Sequence, residues 1–177
     1  METVVRRVSF VHGSEGGRDT LEQRFRFEGD GISADQIASV LLNSPLIGEK
    51  SVFGNRPGEE TARTDGSRNV VGFSPAPGFR FDVAITPRNG SFRVRFTQPD
   101  RTVPYLQGDL LWSIADEPDG AVFDEQINTQ RALAVVTEPL GGDGRSLRRW
   151  LFFQMGHKQV MSRATRNIGD ILDEVRG

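Results

Sequence analysis

Two side chains are best suited to acid–base work, His157 and Glu125. His157 follows Gly156 and falls on the apolar side of the last long helical pattern. An imidazole there can orient a ligand or act as a general base, because its ordinary pKa lies near neutrality. The plainer reading is a core or rim histidine with one hydrogen bond. Glu125 alternates with Phe123 and Ile127. If that face is inward, Glu125 is a carboxylate in an apolar pocket whose pKa is raised by burial. If a bulge in the preceding turn shifts the alternation, Glu125 meets solvent. The plainer reading is the expected one in both cases.

Around these two, Phe81, Phe96, Trp112, Phe153 and Met161 are the candidate lining of a ligand cavity, though an aromatic stripe is also what a plain core looks like. Tyr105 and Trp112 each carry one polar atom and can orient a bound molecule. Other motifs carry less. Cysteine is absent and His12 lies far from His157 in sequence, which argues against zinc. Gly141-Gly142-Asp143-Gly144 and Gly48-Glu49-Lys50-Ser51 lack the spacing of a phosphate loop. Arg24, Arg26, Arg93 and Arg95 lie on outward strand faces, but acids are as common as bases, so a solvated face is expected. No set of residues forms a catalytic motif, and neither a cofactor nor a metal is expected.

Composition sets the frame. The 177 residues suit one domain, spanning 1–177, with a sizeable core. A net charge of −2 argues against a nucleic-acid binder driven by charge. No apolar run approaches a membrane span and no signal peptide stands at Met1, so no membrane insertion is expected and a cytoplasmic location fits.

The elements that must position the candidates follow from periodicity. Thr3 to Val11 and Thr20 to Glu28 read as strands of a hairpin around the Gly-rich stretch His12 to Asp19. In the second strand Leu21, Gln23, Phe25 and Phe27 share one face. Ser33 and Gln36 match a capping box, with Ile37, Val40 and Leu41 as the apolar face of a short helix ended near Pro45. A second short helical turn is expected over Leu46 to Val52. Asp65-Gly66 then suits a hairpin tip joining two weak strands.

Phe79 to Thr97 is the clearest hairpin. Asn89-Gly90 suits a type I′ turn, and folding about it pairs Arg88 with Ser91, Ile85 with Val94 and Val83 with Phe96. Gln107 to Ala115 and Ala121 to Gln130 form another hairpin around Glu117-Pro118-Asp119-Gly120, read as a type I turn with a bulge. The bulge leaves open whether Trp112 and Ile114, or Leu111 and Ala115, face inward. Ala132 to Val136 extends the sheet, and Leu140 to Arg145 is a Gly-rich loop. Last comes a long helix over Ser146 to Val175, with Trp150, Phe153, His157, Val160, Met161, Ala164, Ile168, Ile171, Leu172 and Val175 on one face. A rival reading makes Leu147 to Met155 a strand and starts the helix near Gly156.

This succession, with its Glu117-Pro118-Asp119-Gly120 turn before a late strand, resembles the START-like, or helix-grip, polyketide cyclase-like superfamily. The resemblance covers Thr20 to Val175, with the strand at Thr3 to Val11 as an addition. It implies an α+β fold: a curved antiparallel sheet of about seven strands gripping a long C-terminal helix, with two short helices after the first strands. It also implies a cavity between sheet and helix. The expected function is binding of a hydrophobic small molecule such as a lipid or polyketide, with Phe81, Phe96, Tyr105, Trp112, Glu125, Phe153, His157 and Met161 as ligand-binding candidates. A cyclase or aromatase using His157 or Glu125, and a co-chaperone-like interaction module, are the alternatives. A homodimer is left open.

Overall fold

The computed structural model describes the backbone of residues 2–15, 18–76, 79–97, 108–127 and 152–177, and side chains over a slightly smaller set. The chain folds as one open antiparallel sheet of eight strands with a long C-terminal helix, an α+β architecture. The strands are β1 (Val4–Glu15), β2 (Arg18–Glu28), β3 (Glu59–Ala62), β4 (Arg68–Ala76), β5 (Phe79–Arg88), β6 (Ser91–Thr97), β7 (Gly108–Glu117) and β8 (Gly120–Ile127). Their order across the sheet is β1-β2-β8-β7-β6-β5-β4-β3. Among the described residues eight strands stand where about seven are expected.

The first hairpin is longer than its glycines suggest. Pairing runs on to Glu15 opposite Arg18, so the stretch read as a loop is mostly strand. Leu21, Gln23, Phe25 and Phe27 are all buried, as their alternation predicts. Helix α1 (Ala34–Asn43) opens with the expected capping box, in which Ser33 and Gln36 satisfy each other's backbone, and it buries Ile37, Val40 and Leu41. The second short helix is not formed. Residues 46–53 make a run of turns closed by Val52 N–H to Pro45 O and Phe53 N–H to Leu46 O, which still buries Leu46, Val52 and Phe53.

The β5–β6 hairpin has the predicted register, with Val83 opposite Phe96, Ile85 opposite Val94 and Arg88 opposite Ser91. Its turn is not type I′. Gly90 has φ of 71°, but Asn89 does not share the positive φ that a type I′ turn needs at both positions. In the β7–β8 hairpin Glu117 pairs directly with Gly120 and no register shift interrupts the ladder, so the expected bulge is absent. Trp112 therefore faces inward, opposite Glu125. Gly120 is needed for close approach: a Cβ there would lie 1.9 Å from the Phe27 carbonyl oxygen of β2.

The terminal helix is continuous over the described residues. A π-helical turn spans Phe152–His157, and helix α2 proper spans Lys158–Arg176. The helical turn at 152–157 agrees with the expected helix and excludes the rival strand over those residues. Met161, Ala164, Ile168, Ile171 and Leu172 are buried as the stripe predicts, but Val175 is 79% exposed, because the helix runs past the edge of what it packs on. The expected strand at 132–136 and loop at 140–145, and the helical stretch at 146–151, lie outside the described residues.

Candidate functional site

One row of inward side chains crosses three strands. Register places Gln23 of β2 opposite Glu125 of β8, and Glu125 opposite Trp112 of β7. Glu125 is fully buried, and Gln23 and Trp112 are each 2% exposed. The carboxylate accepts from Gln23 Nε2 at 2.8 Å through Oε1 and from Trp112 Nε1 at 2.8 Å through Oε2. His157, at the junction of the π-helical turn and α2, brings Nε2 to 2.5 Å from Glu125 Oε1. Both carboxylate oxygens are thus engaged by protein groups.

Glu125 is therefore inward, which corrects the expectation that it meets solvent. Its pKa also moves against expectation. Burial pushes the carboxyl up, but the charge and hydrogen bond of His157, with the bonds from Gln23 and Trp112, outweigh it and hold it below the ordinary carboxylate range. An anion with three donors is stabilised more by its partners than it is disfavoured by leaving water.

A second arm enters from β1. The β1–β2 ladder slips between Arg7 and Ser9, so Val8 is an extra residue. The slip changes the parity of the strand: Arg7 lies opposite Phe25, and Phe10, three residues on, lies opposite Gln23 on the same inward row. Arg7 Nε donates to Gln23 Oε1 at 3.1 Å. Its Nη2 donates to the Lys158 carbonyl at 2.7 Å and to Ser162 Oγ at 2.6 Å on α2. The guanidinium lies 5.1 Å from the Phe25 ring centre and 5.6 Å from that of Phe10. Burial lowers the Arg7 pKa, partly offset by the charge of Glu125. One polar chain thus runs from Arg7 through Gln23 and Glu125 to His157.

Of the candidates, Trp112, Glu125 and His157 are brought together. Phe81 and Phe96 are buried edge-to-face, 5.6 Å between ring centres, and Met161 is buried on α2. Tyr105 and the side chain of Phe153 lie outside the described residues. Gln23 and Arg7 were missed. Gln23 had a signal, as the one polar residue on the row Leu21, Gln23, Phe25, Phe27. Arg7 had none, because a bulge is not legible in its neighbours.

The outward arginines are paired with acids: Arg24 with Asp124, Arg26 with Glu117, and Arg93 and Arg95 with the buried Asp109. This is the expected face of balanced charge. A surface hollow of about 520 Å³ lies at the far end of α2, lined by Glu2, Asp170, Asp173, Arg176 and Gly177. It is charged and lies at the opposite end of α2 from His157. Among the described residues no cluster of His, Cys, Asp or Glu could hold a metal ion, and no helix is long and apolar enough to cross a membrane.

No protein-family model matches the chain, and no curated protein sequence matches it. Solved structures do. A protein of unknown function, SA2116 from Staphylococcus aureus, superposes with a TM-score of 0.59 at 9% identity, covering 96% of this chain and 98% of its own. Protein Ms6760 from Mycobacterium smegmatis gives 0.60 at 14% identity, covering 94% and 97%. A protein from Rhodobacter sphaeroides gives 0.55 at 12% identity, covering 94% and 99%. At these identities the likeness is one of fold, a sheet with a C-terminal helix.

Proposed function

We propose that the chain, acting as a single START-like domain, binds a hydrophobic small molecule of the lipid or polyketide kind between the sheet and the first half of α2. The observation that carries this reading is the Glu125–His157 pair, buried between helix and sheet beside a core of aromatic and aliphatic side chains. A buried polar pair is weak as a stabilising device, since well-packed apolar side chains of similar size often serve stability as well or better. Its place at the start of the helix, beside Trp112 and on the aromatic side of the sheet, suits the orientation of a ligand with an apolar body. The START-like resemblance supports the same reading, because members of that superfamily hold ligands between sheet and helix.

The test uses a neutral fluorescent probe, Nile red, with native mass spectrometry of the purified protein for a copurified molecule. Saturable binding at micromolar or better concentration is expected. Phe153→Arg is expected to abolish it while the far-ultraviolet circular dichroism is kept. No saturable probe binding and no copurified molecule would count for an interaction module instead.

The second reading, an enzyme of the cyclase type, is favoured by one detail. Because both oxygens of Glu125 are engaged, the carboxylate fixes the imidazole of His157, and His157 would be the group that exchanges a proton with substrate. Turnover of a polyketide-like substrate that His157→Ala removes would support it.

A further inference from the structure

Arg7 and Lys158 differ from the outward cations of the sheet. Arg24, Arg26, Arg93 and Arg95 all meet carboxylates. Arg7 and Lys158, both only half exposed, make no ion pair among the described residues. They converge on one ring instead. The Lys158 ammonium lies 4.6 Å from the centre of Phe10, and the Arg7 guanidinium 5.6 Å from it. Two cations held this near one another repel unless an anion joins them. The nearest buried acid of the network, Glu125, is already committed to His157, Gln23 and Trp112.

Among the described residues the cluster therefore holds two cations against one carboxylate, before His157 is counted. Two of the three guanidinium nitrogens of Arg7 bond to protein groups, and Nη1 makes no hydrogen bond among the described residues. The ring under this charge, Phe10, stands opposite Gln23, which bonds to Glu125 and through it reaches His157.

We propose that the ligand of this site is an apolar molecule with one anionic head, a carboxylate in the simplest case, and that Arg7 and Lys158 receive that head at the Arg7 end of the polar chain that leads to His157. A guanidinium with an open nitrogen and an ammonium next to it suit a carboxylate better than a hydroxyl, because the hydrogen bonds are charge-assisted. The aromatic rings under the cations keep them in place without neutralising them. The inference rests on the ligand-binding reading and narrows its ligand class.

Isothermal titration calorimetry with decanoate and 1-decanol tests it. Apolar burial alone favours the alcohol, since its head is less hydrated than a carboxylate. The intact protein is expected to prefer decanoate by about tenfold or more in Kd. Lys158→Gln removes one cation without touching the hydrogen-bond network, and it is expected to lose most of that preference while 1-decanol binds as before. Arg7→Gln is expected to do the same if it stays folded. Equal binding of the two compounds by the intact protein, with Nile red still bound, overturns the anionic head alone. A preference for decanoate that survives Lys158→Gln overturns the assignment to this pair. Failure of decanoate, 1-decanol and Nile red together overturns the ligand-binding reading itself.

Discussion

The two ends of α2 meet the sheet through different chemistry. Near its end the helix is tightly packed: Ile168 and Leu172 are buried, and Gly169 lies so close to β1 that a Cβ there would be 2.9 Å from Val5 Cγ2. Close approach of a helix and a strand, with small and aliphatic residues between them, is what a stable interior needs. At its start the helix brings a histidine to a buried glutamate, and an arginine from β1 holds the first turn by its carbonyl and a serine. Those groups give up water for partners that only just replace it. The contrast separates a part of the fold explained by stability from a part that stability does not explain.

The largest effect should come from breaking the packed end. Ile168 is 1% exposed, and Ile168→Asp leaves a charge there with no partner. A loss of more than about 4 kcal/mol is expected, enough to unfold a domain of ordinary stability. Circular dichroism and size-exclusion chromatography would read it. A variant that melts within a few degrees of the parent would mean that this end is not core.

Glu125→Ala attacks the other end. It leaves Trp112 Nε1, Gln23 Nε2 and His157 without their acceptor. A cost of about 3 kcal/mol is expected from breaking a buried pair by removing one partner. The pH dependence carries the same signature. The Glu125 carboxyl is held below its ordinary range in the fold, so it takes up its proton in the unfolded chain first. Its stabilisation is therefore present above the unfolded value, about 4.3 for Glu, and is lost as pH falls through the depressed folded value. Melting temperature should fall on acidification more steeply for the parent than for Glu125→Gln, which has no charge to titrate at that position. Parallel curves would remove Glu125 from the acid response.

Gly169→Val returns to the packed end with a smaller change. The added side chain meets Val5 of β1 and Thr3 just before that strand, which must shift, at a cost of about 1–3 kcal/mol. The comparison is sharpened if this variant loses stability and keeps Nile red binding, while a variant at the polar end loses binding. Loss of both in Gly169→Val would show that the two ends act as one unit.

How far this contrast was legible in the sequence depends on the residue. The packed end was: Ala164, Ile168 and Leu172 recur at helical spacing, and that period needs no partner to be seen. The β5–β6 register was legible for a similar reason, because Asn89-Gly90 fixes the fold-back point between two alternating runs. The polar end was only partly legible. Glu125 and His157 were visible as types, but their meeting depends on which way β8 faces, and Glu117-Pro118-Asp119-Gly120 allows either parity until the pairing of Glu117 with Gly120 is known. Arg7 reaches the same row through the slip at Val8, which nothing in Arg6-Arg7-Val8-Ser9 announces. Contacts distant in sequence, such as Arg7 with Ser162, are set by the whole sheet and not by local pattern.

The smallest expected effect lies on the outer side of α2, between the two ends. Arg163 is exposed and makes no ion pair among the described residues, while Ala164 beside it in sequence is buried. The helix period alone turns these neighbours to opposite environments. Arg163→Asp reverses a charge in water, where screening leaves little interaction energy. The change also places an acid in the N-terminal half of α2, which the helix dipole weakly favours, although that influence fades beyond the first turn. The two terms are small, and the net change in stability is expected to stay within about 0.5 kcal/mol. Binding of Nile red should be unaltered, because the residue faces away from the interior. If Arg163→Asp instead melts as early as Ile168→Asp, the helix is rotated about its axis from the orientation described, and His157 would be turned from Glu125 with it. A matched pair of melting curves for these two variants therefore tests the facing of the whole helix, and with it the geometry on which the polar end depends.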